Sequence, residues 1–244
     1  MRVAALHRHP VKGIGCEAVS AVTLTAGAPF PGDRAWAVAH GRAPDREGWL
    51  PKAAFLQVMA GPELAAILAE SDGDQVTLSH PARPTRTFSL PADGPALVDW
   101  VRPLWPEDKP APATLVRAPA QSMADNGRAT VHILSQATLD ALSKAAGQPI
   151  QAERFRANVV LADVPAWAEL DWIDRQLDLG SAGVRVLEPT GRCRATDANP
   201  ESGARDVEML DLLKRAVGHT HVGVYAEVIR DGDVKVGDSA EILT

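Results

Sequence analysis

Apolar and polar positions change their spacing several times along the chain, and each change marks an element. RVAALHRH at residues 2–9 predicts a strand, followed by a Pro-Val-Lys-Gly-Ile-Gly turn. VSAVTLTAG and DRAWAVAH, rich in Val, Thr and Trp, predict two more strands. PELAAILAE spaces Leu64, Ile67 and Leu68 for one face of a helix. QVTLSHP and TRTFSLP read as strands of a hairpin or meander. Seven of the nineteen prolines then fall between Pro91 and Pro119, which predicts a connector with a short helix around Val98–Trp100.

The pattern strengthens from residue 129. ATVHILS predicts a strand, after which Ser135 caps a helix with Leu139 and Leu142 inward and Gly147 as its stop. ANVVLAD is a compact buried strand, and GVRVLEP alternates as another. DVEMLDLLKRAVG carries Val207, Leu210, Leu213 and Val217 at helical spacing. The closing HVGVYAEVIRDGDVKVGDSAEIL predicts two or three strands with a turn at Asp231-Gly232. Many short strands with few helices predict a β-rich, barrel-like α+β fold.

Bulk properties narrow the function. A length of 244 residues suits one large domain or two small ones, and 45% hydrophobic with 23% charged residues is ordinary globular composition. No apolar run is long enough to cross a bilayer and MRVAALHRHPVKG lacks a secretion h-region, so a soluble cytoplasmic protein is expected, with no membrane partner. A net charge of −6 argues against nucleic acid as the main partner. Two cysteines, Cys16 and Cys193, are too few for a disulfide scaffold, an iron–sulfur cluster or a four-cysteine zinc site.

Cys193 is the most informative residue. Its loop, EPTGRCRATDANPESG, follows a strand, and Arg192 and Arg194 flank the thiol, which favours thiolate. The same residue also suits a small buried hydrophobe, and spacing alone leaves both roles open. Cys16 has no partner motif and reads as structural. The seven histidines form no paired zinc pattern, and there is no P-loop, GxGxxG or GxSxG segment. Asp197 and Glu201 in the cysteine loop suit capping and turn roles. Lys12, Arg34, Arg154 and Arg156 stand at turns and strand edges, where arginine forks often meet an anion.

RFRANVVLAD, GRCRATDANPESG and VYAEVIRDGDVKVGDSAEIL together resemble a MOSC domain, the C-terminal domain of molybdenum cofactor sulfurases. The opening HPVKGIGCEAVSAVTLTAGAPFPGDRAWAV resembles the β-barrel domain that precedes it in many members, and by layout the chain is similar to the amidoxime-reducing branch. The resemblance implies an N-terminal lobe over 1–115, smaller and β-rich, and a MOSC domain over 116–244. It implies a molybdenum cofactor, held by its dithiolene sulfurs and by Cys193 as the protein's metal ligand. Lys12 and Arg34 correspond to residues that grip the pterin and its phosphate. Arg156, Asn158, Arg192 and, by a looser match, Ser135 are expected near the same cofactor. The wider family also carries an association with pyridoxal-phosphate-like binding.

Many relatives read Cys-x-x-Cys in the metal loop, whereas Thr190 stands at the first position here; the second is the ligand position. The implied activity is reduction of small N-hydroxylated compounds, hydroxylamines or amidoximes, by oxygen-atom transfer to molybdenum. Some bacterial relatives append a ferredoxin domain that residues up to Thr244 do not contain, so electrons are expected from a separate donor protein. The rival expectation is a sulfur-transfer or cofactor-carrier module using a Cys193 persulfide.

Overall fold

The computed structural model describes residues 1–44 and 48–243. Its strands in the first half are β1 (Arg2–Arg8), β2 (Val11–Lys12), β3 (Glu17–Val19), β4 (Ala21–Leu24), β5 (Trp36–His40), β6 (Leu68–Asp72), β7 (Gln75–His80), β8 (Arg83–Ser89) and β9 (Pro112–Arg117). The second half adds β10 (Val131–Ser135), β11 (Val159–Ala162), β12 (Gln176–Leu179), β13 (Ala182–Gly191), β14 (His221–Arg230), β15 (Gly232–Lys235) and β16 (Ala240–Leu243). Three α-helices intervene: α1 (Gly94–Val101), α2 (Gln136–Ala146) and α3 (Met209–Val217). The β-rich α+β class expected from the sequence holds.

An eight-stranded sheet in the order β16-β12-β13-β14-β10-β11-β1-β3 organises the molecule. β10 and β11 run parallel, so their link must cross over, and α2 supplies that crossover. Ser135 caps α2 by accepting from the Thr138 N–H at 3.1 Å, and Gly147 ends it in the left-handed conformation. β1 pairs with β11 across more than 150 residues of chain, Leu6 opposite Val159. The first strand therefore completes the same sheet that carries the C-terminal half.

Alternation sorts side chains to the two faces of this sheet. Val131, Ile133, Val159, Leu161, Val224 and Ala226 enter one core. On the other face Leu134 and Val160 pack with α2 and α3 through Leu139, Leu142, Leu212 and Leu213. The polar residues of that second face, His132, Asn158 and Tyr225, lie beyond the helices' cover and line a cavity instead. Its opposite wall belongs to the first half, where the small sheets β2-β5-β9 and β6-β7-β8 share a core containing Val11, Ile14, Trp36, Leu56, Leu78, Phe88 and Trp100.

Several sequence expectations need correction. PELAAILAE is a 3-10 turn at Pro62–Ala66 followed by β6, with Leu64 and Ile67 buried and Leu68 59% exposed. Pairing with β7 outweighs the local helical spacing, which also fits a 3-10 turn. VSAVTLTAG divides at Ser20: β3 pairs with β1, while β4 joins β15 in another sheet. The proline-rich segment holds the expected short helix as α1, which starts beside Pro95 at its first turn, where the missing N–H costs little, but it also carries β9, an edge partner of β5. α3 starts later than expected because the Asp197 carboxylate accepts from the Met209 N–H at 3.1 Å, which turns Met209, Leu212 and Leu213 inward. Among the described residues no helix is long and apolar enough to cross a membrane.

Candidate functional site

A cavity of about 210 Å³ lies where β2, the turn after Asp33, the approach to β11 and the loop after β13 meet. Lys12, Arg34, Arg156, Asn158, Arg192 and Cys193 all line it, so residues separated by up to 181 positions converge on one space. Ser135 does not join them. It is fully buried at the start of α2, where its hydroxyl serves as the helix cap and donates to Thr138 Oγ1 at 2.8 Å.

Each cation is placed by its local backbone. Lys12 is 5% exposed, and its ammonium donates to the Met123 carbonyl at 2.6 Å and to the Asp125 carboxylate. Arg34 and Arg156 both take left-handed backbone, with φ near +50°, which is unusual for non-glycine residues. Asp33 stabilises the first: its carboxylate pairs with Arg34 and accepts from the His9 backbone N–H at 2.8 Å and the His9 ring at 2.9 Å. Arg156 follows the 3-10 turn Ala152–Phe155 and spans to the Gly15 and Val11 carbonyls at 3.1 and 3.2 Å. Arg192 lies over the Phe155 ring and donates to its carbonyl at 2.9 Å, leaving its buried Nε without a hydrogen-bond partner.

Crowding of these charges shows in their proton affinities. Burial, then repulsion from Arg34, brings the Arg156 guanidinium down to about 10. Burial lowers Lys12 despite the attraction of Asp125, and burial also lowers Arg192. Burial alone would raise the Asp33 carboxyl, but Arg34 and His9 hold it well below the usual carboxylate range. Among the described residues, the carboxylates paired with these cations are Asp125 with Lys12 and Asp33 with Arg34. A buried space with surplus positive charge and an unused N–H favours an anion.

The Cys193 loop is held by backbone. The Arg192 N–H donates to the Thr220 carbonyl at 2.9 Å, and the Cys193 carbonyl accepts from the Thr196 N–H at 3.1 Å and hydroxyl at 2.8 Å. Arg154, with a fully buried side chain, clamps the following segment through a bidentate pair with Asp206 at 2.8 Å. The flanking arginines turn elsewhere, Arg192 to Phe155 and Arg194 to Asp197 at 3.2 Å. Thr190 is buried and lies outside the cavity lining, so the first position of a Cys-x-x-Cys pattern would not face the cavity here. Cys16 belongs to a separate small cavity that shares Arg156 as a wall, and burial pushes its thiol up to about 12.

Asn158 lines the cavity but spends its amide on the fold, accepting from the His132 N–H at 3.0 Å and donating to the His7 carbonyl at 3.2 Å. His132, Tyr225 and Asp125 also line the cavity, and motif reasoning missed all three. A signal was present for His132: a lone polar residue inside the apolar strand ATVHILS needs a purpose. His132 also imposes a glycine on β14. A Cβ on Gly223, at φ +73°, would lie 2.5 Å from His132 Nε2 and 2.5 Å from the Ile133 carbonyl. Gly223→Ala should therefore destabilise the protein by about 2–3 kcal/mol, from strained backbone plus overpacking, read as a lower urea midpoint. An unchanged midpoint would show that β14 relaxes freely there.

Among curated proteins, mitochondrial amidoxime-reducing component 1 of Xenopus laevis is 34% identical over 129 residues, covering 47% of this chain and 36% of that protein. Its namesake in Homo sapiens is 28% identical over 123 residues, covering 46% and 36%. The chain thus spans about a third of the length of these relatives. Among solved structures, the YuaD protein of Bacillus subtilis aligns over 99% of this chain and 94% of its own at 13% identity, with a TM-score of 0.48. YiiM of Geobacillus stearothermophilus aligns over 47% and 54% at 15% identity, with a TM-score of 0.36. The family model of the MOSC N-terminal beta barrel domain matches residues 1–102 and that of the MOSC domain matches residues 120–241; the chain belongs to the MOSC domain family.

Proposed function

We propose that the cavity binds a molybdenum cofactor and that the loaded protein reduces small N-hydroxylated compounds with electrons from a separate donor protein. The carrying observation is the meeting of Lys12, Arg34, Arg156 and Arg192 with Cys193 in one cavity. The residues suit such a group on two counts. The unpartnered Arg192 Nε and the depressed Arg156 both favour an incoming phosphate. Cys193 offers a soft sulfur donor, while among the described residues no three His, Cys, Asp or Glu side chains group to hold an ion. A metal reaching this cavity must bring its remaining ligands with it.

Lys12, Arg34, Arg156 and Arg192 would hold the cofactor's anionic end and Cys193 its metal. When bound, the group supplies two-electron oxygen-atom chemistry, which no side chain here provides. The protein's own part is to orient the cofactor, to keep the anion desolvated against fixed guanidinium groups, and to present the N–OH group at the cavity mouth. The chain has no dinucleotide fingerprint and too few cysteines for a cluster, which supports an outside source of electrons. The names of the amidoxime-reducing relatives favour this substrate class.

Protein made in a cofactor-competent host should carry about one molybdenum per chain and release a fluorescent pterin on acid oxidation. Lys12→Glu, Arg34→Glu and Arg156→Glu should each weaken retention by roughly 1–3 kcal/mol, whereas Lys144→Glu on the exposed side of α2 should not. Metal and pterin content after gel filtration reads the difference, with circular dichroism checking the fold. Equal loading in all four variants would show that the cations do not grip the cofactor. Folded protein with neither metal nor pterin, even after reconstitution with free cofactor, removes the proposal.

A further inference from the structure

Reduction of an N-hydroxyl group needs protons as well as electrons: R–NH–OH, two electrons and two protons give R–NH2 and water. We propose that Tyr225 is the proton donor to the departing oxygen, an assignment that rests on the reductase reading above. The phenolic O–H bond breaks as the N–O bond breaks, and its proton passes to the oxygen that leaves in water. A solvent proton goes to nitrogen, the outside donor protein is the source of the two electrons, and solvent at the cavity mouth reprotonates the phenolate.

Strand register places the side chain for this work. Val224 and Ala226 on either side of Tyr225 are fully buried in the sheet core, so strand alternation turns Tyr225 to the opposite face, where it lines the cavity with Cys193. His132 is its direct cross-strand partner, and the two rings stand 5.6 Å apart, so the Tyr225 ring packs beside the imidazole. Arg34 and Arg192 line the same cavity as Tyr225, so negative charge formed there lies in a space walled by guanidinium groups.

Elimination points the same way. Burial pushes His132 down to about 3, leaving it neutral and without an acidic proton near pH 7. Lys12 keeps Asp125 ionised and hydrogen-bonds both it and the Met123 carbonyl. The guanidinium groups of Arg34, Arg156 and Arg192 stay protonated near neutral pH and serve to bind an anion, not to give up a proton. With Cys193 given to the metal, the proton-bearing groups that remain at the cavity wall among the described residues are Tyr225 and Lys52, and of the two only Tyr225 stands on the sheet beside His132.

Tyr225→Phe tests this, because it keeps the ring beside His132 and removes only the hydroxyl. In loaded protein driven by reduced viologen, kcat for benzamidoxime should fall about 100-fold or more, with KM and molybdenum content within about twofold of the parent. Small weak acids such as imidazolium should restore turnover to Tyr225→Phe in proportion to their concentration, and should leave the parent unchanged. The cofactor-free chain gives an independent readout, since Tyr225 is the sole tyrosine. Tetranitromethane should nitrate it, and cofactor loading should protect it. Unchanged kcat in an active parent, loss of cofactor in step with activity, absence of rescue, or no nitration of the cofactor-free chain would each overturn the assignment. An inactive but fully loaded parent would instead sink the reductase reading and this assignment with it.

Discussion

Cys193→Ser should abolish N-hydroxyl reduction by cofactor-loaded protein, while Cys16→Ser should leave turnover within a few-fold. Serine offers a hard, poorly ionised oxygen in place of a soft thiolate, so on the proposed reading the metal would lose its protein ligand. The loss should exceed the roughly 10–100-fold typical of removing a group that only orients a ligand. Little of it should come from unfolding, because the Cys193 carbonyl, not its thiol, anchors the loop through Thr196. Cys16 faces a different cavity, and its thiol, pushed up to about 12, stays protonated at neutral pH. Viologen-driven turnover and the molybdenum spectrum measure the contrast. If the two variants exchange behaviour, the metal loop has been misassigned. Sulfide release from Cys193 on thiol reduction, without reductase turnover in the parent, would favour sulfur transfer.

The cavity was legible in sequence where a residue's chemistry and its turn coincide. Lys12 beside Gly13, Arg34 after Gly32-Asp33, and Arg156 before a buried strand were singled out as cations at chain reversals, and all reach one space. Their convergence was not legible, since it depends on β1 crossing to β11 and on residues of both halves of the chain reaching one space. Ser135 shows the opposite case. The local signal, a serine before an amphipathic run, correctly marked a helix cap, and that bond is where its hydroxyl is spent. Of the arginines flanking Cys193, Arg192 lines the same cavity while donating to the Phe155 carbonyl, whereas Arg194 turns to Asp197. His132 and Tyr225 escaped notice for a related reason. Each is isolated in its own strand, and only the β10–β14 register sets them side by side.

That register should also make the protein sensitive to mild acid. Burial pushes His132 down to about 3, and burial, ahead of Arg156, lowers His9 well below its ordinary value; burial lowers His7 too. The unfolded chain binds protons on these rings near pH 6.5, so between there and the folded values it takes up more protons than the native state. Stability is therefore full above about pH 6.5 and falls as pH drops. At pH 5 His132 alone should cost about 2 kcal/mol, and His9 acts in the same direction. The lowered Asp33 carboxyl contributes stability above the ordinary carboxylate range and loses it only at lower pH, as pH falls through its folded value. The interval from pH 6.5 to 5 thus belongs to histidine. Protonation would also place a cation beside Arg34 and Arg192, which opposes uptake further. Urea unfolding of the cofactor-free protein at pH 7.5 and pH 5 should show the midpoint falling, and His132→Gln, which cannot titrate, should remove a large share of that fall. A midpoint that stays level across this interval, or an identical fall in His132→Gln, would show that His132 is not the buried neutral group on which the cavity is built.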